Sequence, residues 1–115
     1  MRELLRLEGA GDPSAALAVE CFCRRARHYV GGFLAELGGV DAIAFGGGIG
    51  ENCPDIRRRI IGKLEWARVL LDSAAKAAAG GGDFAIHAPG SSAGVYVVSL
   101  DEAVIIASEA AGALR

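Results

Sequence analysis

Several things are scarce in this chain, and each scarcity narrows what it can be. No apolar run in its 115 residues is long enough to cross a bilayer, and the opening "MRELLRLEGAGD" carries acids where a signal peptide would carry an uninterrupted apolar core. The expectation is a soluble, cytoplasmic protein with no membrane partner. Cysteine is sparse and odd in number: Cys21, Cys23 and Cys53 show no CxxC spacing, which speaks against a disulfide framework or a zinc site and for reduced, structural thiols. Histidine is scarcer still. His28 and His87 have no carboxylate or cysteine partner at ligand or triad spacing, so both read as structural or exposed. An excess of positive charge is also missing. Lys+Arg number 12 against 14 Asp+Glu, a net charge of −2, which disfavours nucleic acid and anionic lipid as partners. The clusters Arg24, Arg25, Arg27 and Arg57 to Arg59 each have an acid within helical reach, Glu20 to Arg24 and Asp55 to Arg59, and read as solvated helix faces.

What the chain does have is apolar residues, 52% of the total, and 17 glycines. Length and composition predict one globular unit, residues 1–115, with no internal repeat and no clean domain boundary. Asp12-Pro13 is a helix start, an oxygen-bearing cap followed by a residue whose missing N–H is not needed in the first turn. Ala18, Phe22, Ala26, Tyr29, Val30, Phe33 and Leu37 recur at three- and four-residue steps and predict a long helix ending at Gly38-Gly39. Gly31 and Gly32 inside it imply that another backbone crosses closely there. Residues 41–45 read as a buried strand, and Ile56, Ile60, Leu64, Ala67 and Leu71 as the apolar face of a second helix begun at Pro54, with Arg57, Arg58, Glu65 and Arg68 on its polar face. Gly80 to Gly82 break the chain. Residues 84–87 and 95–98 are two short β-like runs around the turn-prone "APGSSAG", and "SLDEAVIIASEAAGAL" predicts a largely buried final helix. The expected class is α/β, in the order helix, strand, helix, strand, strand, helix. Trp66 interrupts the second helix's apolar face and marks a contact with further protein.

The junction "DAIAFGGGIGENCPDIRRRI" raises the functional question, because four of the five positions from Gly46 to Gly50 are glycine. Glycine loses the most backbone entropy on ordering, so either the turn is crowded or something must touch its backbone. A strand, a side-chain-free turn and a helix start together offer backbone N–H groups to a phosphate-bearing or nucleotide ligand. Neither familiar phosphate motif fits. No Gly-Lys-Ser/Thr follows, and Glu51 stands where the last glycine of G-x-G-x-x-G is required.

The stretch "FGGGIGEN", Phe45 to Asn52, resembles the nucleotide-binding signature F-T-G-G-I-G-E-N of the acetate kinase family, with Gly46 in place of the usual threonine. Two further blocks are similar in the right order: "MREL" to the family's S-x-D-M-R-E, and "VVSLDEAVIIASEA" to its closing I-P-T-N-E-E-L-x-I-A-R-E-T. The resemblance implies part of a ribonuclease-H-like lobe of the actin/Hsp70 type, the C-terminal portion of the enzyme's second lobe. It implies that the backbone of Gly48, Ile49, Gly50, Glu51 and Asn52 lies along ATP or ADP, with Met1 and Arg2 on the adenosine side. Glu102 matches the glutamate associated with Mg²⁺, a hard cation suited to carboxylate oxygen. A first-turn acid complementing the helix dipole is the alternative for Glu102. The family transfers a phosphoryl group from ATP to acetate and dimerises. Its Asn-x-Gly-Ser-Ser segment, acyl-contacting arginines, acidic catalytic residue and His-Asn-Pro loop have no counterpart here, so the chain alone is expected to be inactive and cannot choose acetate over propionate or butyrate. A stand-alone nucleotide-binding module and a dimerisation module are the other readings.

Overall fold

Helices form where local chemistry starts and stops them. In the computed structural model, residues 1–75 and 82–113 are described, apart from the side chains of residues 102 and 103. Gly80 and Gly81 of the expected breaker lie outside that range. The order is α1 (Arg2–Gly9), α2 (Pro13–Leu37), β1 (Ala42–Phe45), α3 (Gly47–Asn52), α4 (Pro54–Ile61), a 3₁₀ turn (Glu65–Ala67), β2 (Phe84–Ala85), β3 (Gly94–Val97) and α5 (Glu102–Ala113). The class is α/β, but the linear order departs from expectation in two places. A helix, α1, precedes α2, and after β1 the glycines expected as a loop form a short helix of their own, α3, with α4 and a 3₁₀ turn in place of the single longer helix expected after them.

Asp12 caps α2 as its residue type predicts, its carboxylate accepting from the N–H groups of Ser14 and Ala15 at 2.8 and 3.1 Å. Gly38, with φ of 68°, closes the helix in the left-handed region. Which face is buried differs from expectation in part: Ala26 and Val30 of the predicted stripe pack against the core clusters. Ala15, Val19 and Cys23 are the buried residues of α2, whereas Phe22, Tyr29, Phe33 and Leu37 of the predicted stripe are exposed. The close approach inferred at Gly31 and Gly32 is not found: a Cβ built on either meets nothing within 4 Å.

The sheet has the order β1-β3-β2, with β3 parallel to β1 (Ala42↔Gly94 to Phe45↔Val97) and antiparallel to β2 (Phe84↔Val97, Ala85↔Tyr96). β3 shows period two, Val95 and Val97 inward and Tyr96 outward. β1 is not the buried strand expected. It is an edge strand whose Ala42 and Ala44 are exposed. Residues 84–87 form a two-residue strand, and His87 continues it only as an isolated bridge to Leu71. The His87 Nδ1 accepts from Val95 N–H at 3.1 Å, a structural use of the imidazole.

Two apolar clusters result. One gathers Ile61, Leu64, Val69, Ile86, Ala93, Val95 and Val97 under the sheet. The other joins Val19, Cys23, Cys53, Ile56 and Ile60, and Met1, Leu4 and Leu5 of α1 pack against it. α4 ends at Ile61, one residue before Gly62, and Leu64 reaches the core through the 3₁₀ turn instead of a continuing helix, a turn that Arg68 closes at φ of 58°. Trp66 on that turn is exposed. α5 reverses its expectation most fully, because Val104, Ile105 and Ile106 are all exposed.

Charge ties α1 to α4. Arg59 donates to both oxygens of Glu8 at 2.8 Å and lies 2.8 Å from Asp55. The Arg59 guanidinium holds the Glu8 carboxyl below its ordinary pKa. The folded state therefore binds the Glu8 proton less readily than the unfolded chain, and the pair's stabilisation, present at neutral pH, is lost as pH falls through the depressed folded value. Glu8→Gln is expected to reduce the loss of urea resistance between neutral pH and pH 3. An acid dependence identical to that of the parent chain would show that the pair contributes nothing.

Candidate functional site

Each glycine of the turn after β1 can be asked what it is for. Gly46 is extended, at φ of −137°, and a Cβ there would stand 2.9 Å from Leu100 Cγ and 3.3 Å from Val98 Cγ2. Gly47 has φ of 71°, a conformation L side chains rarely adopt. A Cβ on Gly50 would lie 3.1 Å from the Phe45 carbonyl carbon, so α3 sits directly on the end of β1. Three of the four thus have internal reasons. Gly48 has none: it is exposed, and a Cβ on it meets nothing within 4 Å.

The carbonyls of α3 are almost fully accounted for, as a short helix end requires. Asn52 Nδ2 donates to Gly48 O at 3.0 Å, and Cys53 N–H donates to Ile49 O at 3.0 Å. Arg57 Nη1 donates to Gly50 O at 2.7 Å and to Glu51 O at 3.0 Å. Arg57 is 3% exposed, which corrects its assignment to a solvated polar face. Burial pushes its guanidinium pKa down, but an arginine stays charged, so a fixed cation sits beneath the C-terminal end of α3, where the helix dipole favours it. The N-terminal end carries no side-chain cap, so its first amides have no side-chain acceptor.

Met1 caps α1 and packs against the same apolar cluster as Ile49 of the glycine-rich helix. Arg2 is exposed beside it. Glu51 is half-buried, and its Oε1 accepts from Leu100 N–H at 2.9 Å. Glu102 begins α5, and its side chain lies outside the described residues. No cluster of three His, Cys, Asp or Glu suited to a metal occurs among the described residues. A cavity of about 470 Å³ behind α4 is lined by Arg57, Ile61, Val69 and Ile86 but by none of the glycines 46–50. No helix of the described residues is long and apolar enough to cross a membrane.

Sequence reasoning missed Arg57, Val98 and Leu100. Arg57 sits in a run of three arginines that is indistinguishable by pattern from a surface face. Val98 and Leu100 reach the turn only through the long-range pairing of β3 with β1.

A family description reading "Acetokinase family" matches residues 1–108. The acetate kinase of Solibacter usitatus is 44% identical over 110 residues, which are 95% of this chain and 27% of that protein. Among solved structures, the Porphyromonas gingivalis acetate kinase superposes with a TM-score of 0.83 at 33% identity, covering 99% of this chain and 29% of the other. The Francisella tularensis propionate kinase gives 0.79 at 33% identity, covering 94% and 27%. The chain thus spans a little over a quarter of the length of these relatives.

Proposed function

This chain is a member of the acetokinase family, and on that premise we propose that it forms the nucleotide-facing portion of a kinase moving the γ-phosphoryl group of ATP to a short-chain carboxylate, giving an acyl phosphate. Its natural setting is the cytoplasm, as the C-terminal part of a second lobe that pairs with a second copy. Acetate is the leading acceptor, with propionate and butyrate as alternatives, since one structural relative is named a propionate kinase.

The observation that carries the reading is Gly48. In a turn where Gly46, Gly47 and Gly50 are each required by the protein's own packing or backbone, this position is left bare for no internal reason. A nucleotide laid along Gly48 to Asn52 needs that bareness. Met1 and Arg2 would border its adenosine end, since Met1 shares a cluster with Ile49. Glu102 would hold Mg²⁺, and the donor chemistry fits: magnesium takes one or two carboxylates and keeps its remaining positions for water and phosphate oxygens, so no protein cage is needed. Bound there, the ion would neutralise charge on the phosphates. The contribution of this chain's own residues is positioning. Arg57 and Asn52 hold the α3 backbone in place, and phosphoryl transfer depends mainly on such fixed geometry. The acyl-contacting and phosphate-gripping groups belong to other parts of the enzyme, so the chain alone binds without turning over.

Gly48→Ala is the test. The new methyl enters open space and replaces a helical glycine, so folding stability should be unchanged or rise by up to about 1 kcal/mol. Mg·ADP affinity, measured by isothermal titration, should fall by roughly tenfold or more because ligand and methyl compete for one space. Equal affinity in the variant and the parent chain would remove the basis of the reading.

A further inference from the structure

We infer that Glu51 is a positioning residue, whose carboxylate fastens the segment leading into α5 onto the glycine-rich helix. This rests on the nucleotide reading above for its functional consequence, though not for its geometry. Beyond β3, three successive backbone amides are each held by a different part of the fold. Val98 N–H donates to Phe45 O at 2.8 Å, at the end of β1. Ser99 N–H donates to Asp83 Oδ1 at 2.9 Å, just before β2, and Leu100 N–H donates to Glu51 Oε1 at 2.9 Å, on α3. The Leu100 side chain adds a fourth hold, occupying the space a Cβ at Gly46 would need. Segment 98–100 is therefore a strap across the glycine turn, and Glu51 is its only fastening on the glycine-rich helix by hydrogen bond among the described residues.

An ionised acceptor makes a stronger bond to an amide than a neutral one does. With Oε1 so engaged, the Glu51 carboxylate is occupied by the protein's own backbone, while the open side of α3 is at Gly48. The consequence is coupling. α5 begins two residues after Leu100, so any ligand contacting both α3 and the first turn of α5 meets two elements whose separation is already set. Fixing that separation beforehand lowers the ordering cost of binding. Gly46 fits the same scheme, because a larger residue there would compete with Leu100 for its seat.

The test uses the full chain with Mg·ADP as the probe and compares Glu51→Ala, which removes the acceptor, with Glu51→Gln, which keeps a carbonyl oxygen at similar reach. Two readouts are taken: hydrogen exchange of the Leu100 amide by NMR, and Mg·ADP affinity. In the alanine variant the amide should exchange about tenfold faster and Mg·ADP should bind about tenfold more weakly, as loss of one charge-assisted hydrogen bond implies. The glutamine variant should recover most of both. Unchanged Leu100 exchange in the alanine variant overturns the inference. So does a glutamine variant that keeps the amide protected yet binds as weakly as alanine, because the carboxylate would then be meeting the ligand itself. A parent chain that does not bind Mg·ADP overturns the nucleotide reading instead, and Leu100 exchange then decides the fastening alone.

Discussion

Arg57→Ala should destabilise the fold by about 3 kcal/mol, the effect of removing a buried, doubly bonded cation and leaving two carbonyls without a partner. The Gly50 and Glu51 carbonyls lie in the last turn of a six-residue helix, and Arg57 supplies both with a donor from a position that is 3% exposed. Lysine is a poor substitute, because a single ammonium lacks the planar fork and is costlier to desolvate. Urea unfolding followed by circular dichroism measures the change. A loss below about 1 kcal/mol would mean that α3 holds its shape without the arginine.

Ile61→Ala should be about as damaging, near 3 kcal/mol, by the transfer and cavity cost of deleting a fully enclosed branched side chain. Ile61 is 0% exposed and belongs to the cluster with Val95 and Val97, so it is where the last turn of α4 is pressed onto the central strand. Ile105→Ala provides the contrast within the same molecule. Ile105 is 47% exposed, and its truncation should shift the unfolding midpoint little, within about 0.5 kcal/mol. If both variants unfold alike, the placement of the core between α4 and β3 is wrong.

The contrast between these two isoleucines also explains what could be read in advance. Features set by a few adjacent residues were legible: the Asp12 cap, the Pro13 and Pro54 starts, the Gly38 stop and a strand-to-helix junction right after Phe45, although Gly47 to Gly50, expected as a loop, belong to the helix α3 itself. Burial was not, because it depends on which neighbour arrives. α2 carries two apolar strips about 60° apart at 100° per residue. Its large residues, Phe22, Tyr29 and Phe33, drew attention to one strip. Its small ones, Ala15, Val19 and Cys23, form the other, and small side chains are what allow α1 and α4 to approach. α5 is apolar enough to be taken for a core helix, yet no described element covers it. For the site, the glycine signature was visible in sequence, while Arg57 was not, because its partners are main-chain carbonyls that leave no trace in a pattern of side chains.

The position of β3 has a consequence for how the molecule comes into being. The strand nearest the C-terminus is the one inserted between the other two, and its parallel partner β1 ends about fifty residues earlier in the chain. As the polypeptide leaves the ribosome, neither β1 nor β2 has its partner among the described strands until residues 94–97 have been made. The glycine turn waits longer still, because the strap that seats on it is residues 98–100. Such distant pairing is slow, and the β1 edge that β3 later covers stays open while the roughly fifty residues between the two strands are made.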